Sequence, residues 1–316
     1  MPDKKIIAVT GATGAQGGGV VNAILNDPNG DFIPRAITRN VNSDKAKSLS
    51  NKGVEVVQAD QDDVESLKKA FKGAYGAYCV TSYWEYLSPE KEKIQAKNLA
   101  GAAKDAEVSH AVWSTLEDTR NWVPLDNNSM PTLMGNYKVP HFDGKGESNK
   151  FFMEAGVPTT FMIVSFYWDN FIYFGMGPKK GPDGKLAITF PLGDKKLAGI
   201  SADDIGKCAY GIFKSGDKYI GKTIGIAGEH LTGNEMAEKL SKALGKEIHY
   251  NSVPPEVYRG FGFPGAEDVA NMFQFHRDFQ KDHLEVRDIA RTKLLNPELK
   301  NFDQWLSENK SKIPLE

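Results

Sequence analysis

The stretch Ile6-Ile7-Ala8-Val9-Thr10-Gly11-Ala12-Thr13-Gly14-Ala15-Gln16-Gly17 constrains this chain more than any other. β-favouring apolar residues run up to Thr10, three glycines follow at three-residue spacing, and Val20-Val21-Asn22-Ala23-Ile24-Leu25 then opens a helix. Strand, tight turn and helix are the context that gives such glycines a physical meaning. Gly11 permits the turn, Gly14 lets backbone approach a pyrophosphate, and Gly17 lets the helix lie close to the sheet. The unpaired amides and partial positive charge of the helix start suit phosphate. The loop Gly11-Ala12-Thr13-Gly14-Ala15-Gln16-Gly17 therefore reads as a dinucleotide cradle.

The rest of the first half repeats the pattern. Phe32–Thr38, Val54–Ala59, Ala74–Val80, His110–Ser114 and Thr160–Val164 read as strands. Helical patterns near 44–51, 63–71, 91–106 and 140–155 separate them. This alternation predicts an α/β fold, a Rossmann-type doubly wound parallel sheet. Residues 1–165 form the expected cofactor domain and 166–316 a smaller, mainly helical one, with a late strand near 222–227 able to rejoin the sheet. The segment 119–139 breaks the rhythm, as a lid, a partner-binding loop or a disordered stretch would.

With 316 residues the chain can bury a substantial core. A net charge of −2 gives no reason to expect direct nucleic-acid binding, and no apolar run reaches the roughly 20 residues a membrane span needs. Cys79 and Cys208 are the two cysteines, so no disulfide framework or multi-cysteine metal site is implied. Among the six histidines no i, i+4 pair suggests a metal. Because the first strand begins at once, with no leader before it, a cytoplasmic protein is expected, with nuclear access open.

Cofactor choice turns on the end of the second strand. Where an NAD-type site tends to place an acid for the ribose, this chain has Arg39. A guanidinium pairs bidentately with a 2′-phosphate, which favours NADP(H); Arg35 could share the role, and a solvated surface arginine is the plainer alternative. Asp60 and Gln61, after the third strand, fall where the adenine edge is contacted, while Asp62 or Asp63 could cap the next helix. Thr81, Ser82 and Tyr83, with Trp84, follow the fourth strand and fit the pyrophosphate and nicotinamide-ribose side, or supply packing aromatics.

These motifs, with His141-Phe142-Asp143-Gly144-Lys145-Gly146-Glu147, Gly262-Phe263-Pro264-Gly265-Ala266 and Asp303-Gln304-Trp305-Leu306, resemble the NmrA-like family of atypical short-chain dehydrogenases/reductases. The resemblance spans nearly the whole chain. It implies NADP(H) on a Rossmann domain, Lys145 near the nicotinamide ribose, and Tyr167-Trp168-Asp169-Asn170 lining the nicotinamide side. It also implies either of two roles, working reductase or NADP(H)-responsive regulator with protein partners; an oligomer is compatible with both.

Short-chain reductases pair a tyrosine with a lysine one helical turn on. Here Lys145 is present, but His141 stands at the tyrosine position. Histidine can donate a proton near neutral pH, although a neighbouring ammonium disfavours its charged form. Ser114 could hydrogen-bond a substrate carbonyl, or be an ordinary strand-end hydroxyl. Tyr137 is poorly placed to substitute, and Tyr210 and Lys214 repeat the spacing outside the expected strand order. A missing tyrosine beside a complete cofactor side favours the redox-responsive regulator; the alternative is an NADPH-dependent reductase of a small carbonyl, quinone or related electrophile.

Overall fold

The computed structural model describes residues 4–315. Its first half runs β1 (Lys5–Val9), α1 (Ala15–Leu25), β2 (Phe32–Thr38), α2 (Asp44–Asn51), β3 (Glu55–Gln58), α3 (Val64–Phe71) and β4 (Gly76–Cys79). A single-turn α4 (Tyr83–Tyr86) then leads into α5 (Pro89–Asp105), β5 (His110–Thr115), α6 (Pro140–Glu154) and β6 (Thr159–Ile163). The helix starts are marked locally: Ser43 accepts the Ala46 amide before α2, Asp63 accepts those of Glu65 and Ser66 before α3, and Ser88 caps α5 ahead of Pro89.

Beyond β6 the chain continues as β7 (Phe166–Tyr167), α7 (Asn170–Tyr173), β8 (Lys179–Lys180), β9 (Leu186–Phe190), β10 (Lys196–Ile200) and α8 (Ala202–Lys214). The remainder is β11 (Thr223–Gly225), β12 (Glu229–Thr232), α9 (Gly233–Leu244), β13 (Ile248–Ser252), α10 (Pro255–Arg259), α11 (Ala266–Asp278), α12 (Gln280–Val286), α13 (Ile289–Leu295) and α14 (Phe302–Asn309).

A seven-stranded parallel sheet has the order β11-β6-β5-β4-β1-β2-β3. The late strand does rejoin it, beside β6. Val, Ile and Ala on β1, β4 and β5 are buried on both faces, as helices covering a parallel sheet require. Strand order reverses between β1 and β4, so a crevice opens at their carboxyl ends.

Residues after 165 close that crevice. Two three-stranded sheets, β12-β10-β7 and β13-β9-β8, accompany the helices there. β13 went unread because Ile248-His249-Tyr250-Asn251-Ser252 is short and polar; its pairing with β9 comes from distant chain. Phe273 of α11 packs on Phe166, Phe190 and Tyr258, so α11 is seated firmly over the crevice.

Segment 119–139 is tied down by hydrogen bonds to α6 and α11. The Asp143 carboxylate accepts the amides of Thr119, Lys138 and Val139, and the Lys138 ammonium donates to the carbonyls of Asn127 and Met130. Asn271 and Gln274 of α11 bind the carbonyls of Pro131, Lys138 and Ser129. The segment braces α6 against α11.

Candidate active site

A cavity of about 640 Å³ runs from the Gly11 loop to Tyr258, Phe263 and Met272. Its floor follows from the glycine spacing. Gly11 adopts φ +61°, and a Cβ on Gly17 would lie 2.4 Å from the Gly11 carbonyl oxygen. Only glycine lets α1 begin this close to the strand. The helix start has no side-chain cap and no acid in its first turn, so the amides of Ala15, Gln16 and Gly17 are left to a ligand. Gly11, Thr13, Gly14, Ala15, Gln16 and Gly17 line the cavity. This bare helix start, with the shape that glycine permits, fits a pyrophosphate. Ala12 lies beneath the loop, almost fully buried, its amide donating to Ile37, and does not line the cavity.

Arg39, Asp60, Gln61, Thr81, Ser82 and Tyr83 also reach the cavity wall. Arg39 is not an idle surface arginine. Its guanidinium binds both carboxylate oxygens of Glu85, at 2.5 and 3.0 Å, and the Tyr86 hydroxyl at 3.2 Å. Arg35 is removed from the site: its side chain meets Glu55 at 2.7 Å and the carbonyls of Ala70 and Lys72. The Gln61 amide holds the Val80 carbonyl at 2.8 Å.

Lys145 and His141, one turn apart on α6, both line the cavity. The Lys145 ammonium lies 2.7 Å from Glu92 Oε1, 2.8 Å from Thr81 Oγ1 and 3.2 Å from the Thr81 carbonyl. Glu92 is 2 % exposed, and its second oxygen has no partner. His141 Nδ1 lies 2.6 Å from Asp268 Oδ1, and the His141 backbone amide donates to the other carboxylate oxygen. The acceptor carboxylate fixes the hydrogen on Nδ1, leaving Nε2 as the ring nitrogen for a substrate. Burial, then Asp268 beside it, pushes the Tyr83 hydroxyl well above the usual phenol range. His141 and Lys145 thus each have their own carboxylate partner, Asp268 and Glu92.

Besides Ala12, three expected residues stand away from the cavity wall. Ser114 is fully buried below the cavity floor, where its hydroxyl donates to Gln16 Oε1 at 2.7 Å. It shares that oxygen with Tyr78, while the Gln16 amide donates to Tyr167. The hydroxyl positions the loop and does not face a substrate. Trp168 is turned into the packing of Phe302 and Trp305, and the Asp169 carboxylate accepts the Ala202 amide at the start of α8. Tyr167 and Asn170, flanking them, do line the cavity.

Sequence reading missed Asp268 and Glu92. It also missed Arg287, which lines the cavity and forms a buried bidentate pair with Glu117 while its Nε donates to the Val164 carbonyl at 3.0 Å. Next to it His276 and His283 stack at 3.8 Å, and both imidazoles are pushed well below their usual pKa by burial first and by neighbouring positive charge second. Among the described residues no cluster of three or more His, Cys, Asp or Glu is arranged to hold a metal.

The sequence model of the NmrA-like family matches residues 3–306. An NmrA-like family domain-containing oxidoreductase, FrzB of Cladobotryum sp, is 31 % identical over 293 residues, covering 85 % of this chain and 83 % of its own. An NmrA-like family domain-containing protein of Dictyostelium discoideum is 29 % identical over 262 residues, covering 80 % and 82 %. Among solved structures, Nmra, described as a negative transcriptional regulator, superposes with TM-score 0.79 at 22 % identity in its NADP complex, covering 97 % of this chain and 95 % of its own. The Citrobacter sp. triphenylmethane reductase complexed with NADP(H) gives 0.74 at 22 %, covering 96 % and 99 %. At such identities these two likenesses speak for the fold.

Proposed function

The chain belongs to the NmrA-like family, and from that premise we propose that it is an NADPH-dependent reductase of a small carbonyl, quinone or related electrophile. NADP(H), the ligand in complexes of two fold neighbours, is the cofactor, and when bound it supplies the hydride. The chain's own residues do the rest. The Gly11–Gly17 loop holds the pyrophosphate and Arg39 the 2′-phosphate. Lys145 binds the nicotinamide ribose from its seat on Thr81 and Glu92.

The observation that carries the proposal is the pair His141–Asp268. Asp268 would hold the imidazole of His141 in place, so that Nε2 could supply a proton to the oxygen or nitrogen of the substrate. Aromatic and thioether side chains, among them Trp84, Phe166, Tyr258 and Met272, form the apolar wall of the substrate end. In this reading residues 1–165 carry the cofactor and 166–316 shape the substrate end. No helix among the described residues is long and apolar enough to cross a membrane, and we place the reaction in the cytoplasm.

A second reading, a redox-responsive regulator acting through protein partners, is favoured by one observation: Glu85 already occupies Arg39, so α4 has cause to change state when a cofactor arrives. The two readings separate in one assay. NADPH oxidation is followed against quinones, aldehydes, ketones and imines, with cofactor binding measured in the same samples. Turnover supports the reductase; tight binding without turnover across the panel counts for the regulator.

A further inference from the structure

The cofactor end and the substrate end of the cavity are joined by one turn of helix. α4 contributes Glu85 to Arg39 on one side. On the other, Trp84 packs against His141 with ring centroids 4.9 Å apart and planes tilted by 48°, and meets Phe174 edge-on. Trp84 also lies on the backbone of Gly265, where a Cβ would come within 2.9 Å of its ring. Gly265, at φ +82°, starts α11, the helix that carries Asp268. The preceding residue on α4, Tyr83, sits beside that same carboxylate. Leu87 ends the turn with φ 49°, an uncommon backbone state for a branched side chain, so α4 is held in place by its contacts and not by helix length.

The Arg39–Glu85 pair is exposed on both sides, 52 % and 38 %, and such pairs are weak. It nevertheless uses the two-pronged face of the guanidinium, the face a phosphate takes. A 2′-phosphate placed there would stand against the Glu85 carboxylate, and like charges at that separation repel.

We propose that Glu85 is a specificity-determining residue that competes with the 2′-phosphate for Arg39, so that NADP(H) displaces α4 and NAD(H) leaves it at rest. The proposal rests on the reading of Arg39 as the 2′-phosphate partner. Displacement of Glu85 carries Trp84 with it, because both belong to the same turn, and loosens the wall beside His141. The phosphate thereby reports its arrival to the substrate end, and the resting clasp holds that end closed.

The test measures affinities of NADP+ and NAD+ calorimetrically for the wild type, Glu85→Gln and Arg39→Ala, and records the tryptophan emission that is lost in Trp84→Phe. Glu85→Gln is expected to tighten NADP+ about fivefold and leave NAD+ unchanged, since an exposed pair contributes ~1 kcal/mol and 1.4 kcal/mol is tenfold. Trp84 emission should shift with saturating NADP+ and stay fixed with saturating NAD+. Arg39→Ala should weaken NADP+ alone. If Arg39→Ala weakens NADP+ while Glu85→Gln alters neither cofactor, or alters both alike, the competition is refuted and the cofactor reading stands. If Arg39→Ala leaves NADP+ unaffected, the reading of Arg39 fails and takes the competition with it. Equal Trp84 shifts with both cofactors would refute the link to α4.

Discussion

Asp268 reaches His141 across 127 residues of sequence and accepts its Nδ1 at 2.6 Å, with both side chains nearly excluded from solvent. In the proposed reductase, that contact is what would suit a histidine at a tyrosine's position to proton donation. Asp268→Asn keeps the size of the partner and removes its charge. It is expected to lower kcat about 10²–10³-fold while NADPH affinity and melting temperature stay near wild type. Steady-state rates beside a binding titration check this; an unchanged kcat removes Asp268 from the proton path.

Lys145 has two duties that mutation separates. Lys145→Met should weaken NADPH about tenfold by losing a charged hydrogen bond to the ribose, and should also leave buried Glu92 without a counter-ion. The second effect is expected to cost about 3–5 kcal/mol of stability. Adding Glu92→Gln should restore most of the stability and none of the affinity. Thermal melts and fluorescence titrations on the single and double variants read the two effects apart. If the double variant also regains affinity, Lys145 acts through packing alone.

Arg287 is fully buried against Glu117 and ties the end of α12 to the Val164 carbonyl at the cavity rim. Arg287→Ala should cost about 3–5 kcal/mol in urea unfolding, because an unpaired carboxylate remains inside. Arg287→Met with Glu117→Leu should recover most of that loss. A single variant as stable as the wild type would show that water reaches Glu117.

Much of the fold and about half of the candidate site were legible in the sequence, for reasons that differ residue by residue. Gly11, Gly14 and Gly17 declare themselves because local sterics demand glycine there. Strands β4, β5 and β6 are readable because a sheet buried on both faces imposes continuous apolar runs. Asp268 and Glu92 were invisible, since a carboxylate on an amphipathic helix looks the same whether it faces water or an imidazole. The Glu85 clasp was hidden similarly: Arg39 was read for the ligand it suits, not for the neighbour it meets. Trp168 and Asp169 read as one block with Tyr167 and Asn170, because tertiary contacts alone, Trp168 on Phe302 and Trp305 and Asp169 on the Ala202 amide, turn them away from the cavity.

Acid should destabilise the protein as pH falls below the ordinary histidine range. Burial lowers His110 to about 4, and His276 and His283 lie well below their usual 6.5. Below pH 6.5 the unfolded chain binds protons that these folded imidazoles refuse, so stability falls with pH by up to ~1.4 kcal/mol per unit for each group. For His110 the loss is complete near pH 4. Burial raises Asp143, Asp169 and Asp204, which take up protons first in the folded chain and return stability as pH falls through their raised values. Between pH 6.5 and about 5 the histidines dominate. Urea midpoints should therefore drop from pH 7.5 to 5.5; an equal or higher midpoint at 5.5 contradicts the assignment of neutral buried imidazoles.

The central claim, that His141 supplies the proton, is tested most directly by NADPH oxidation with the best electrophile of the panel, comparing the wild type with His141→Ala. The account predicts a fall in kcat of about 10²–10⁴-fold, with NADPH bound as tightly as before. Turnover by His141→Ala at the wild-type rate, with cofactor affinity equally intact, would contradict it and return the proton to solvent.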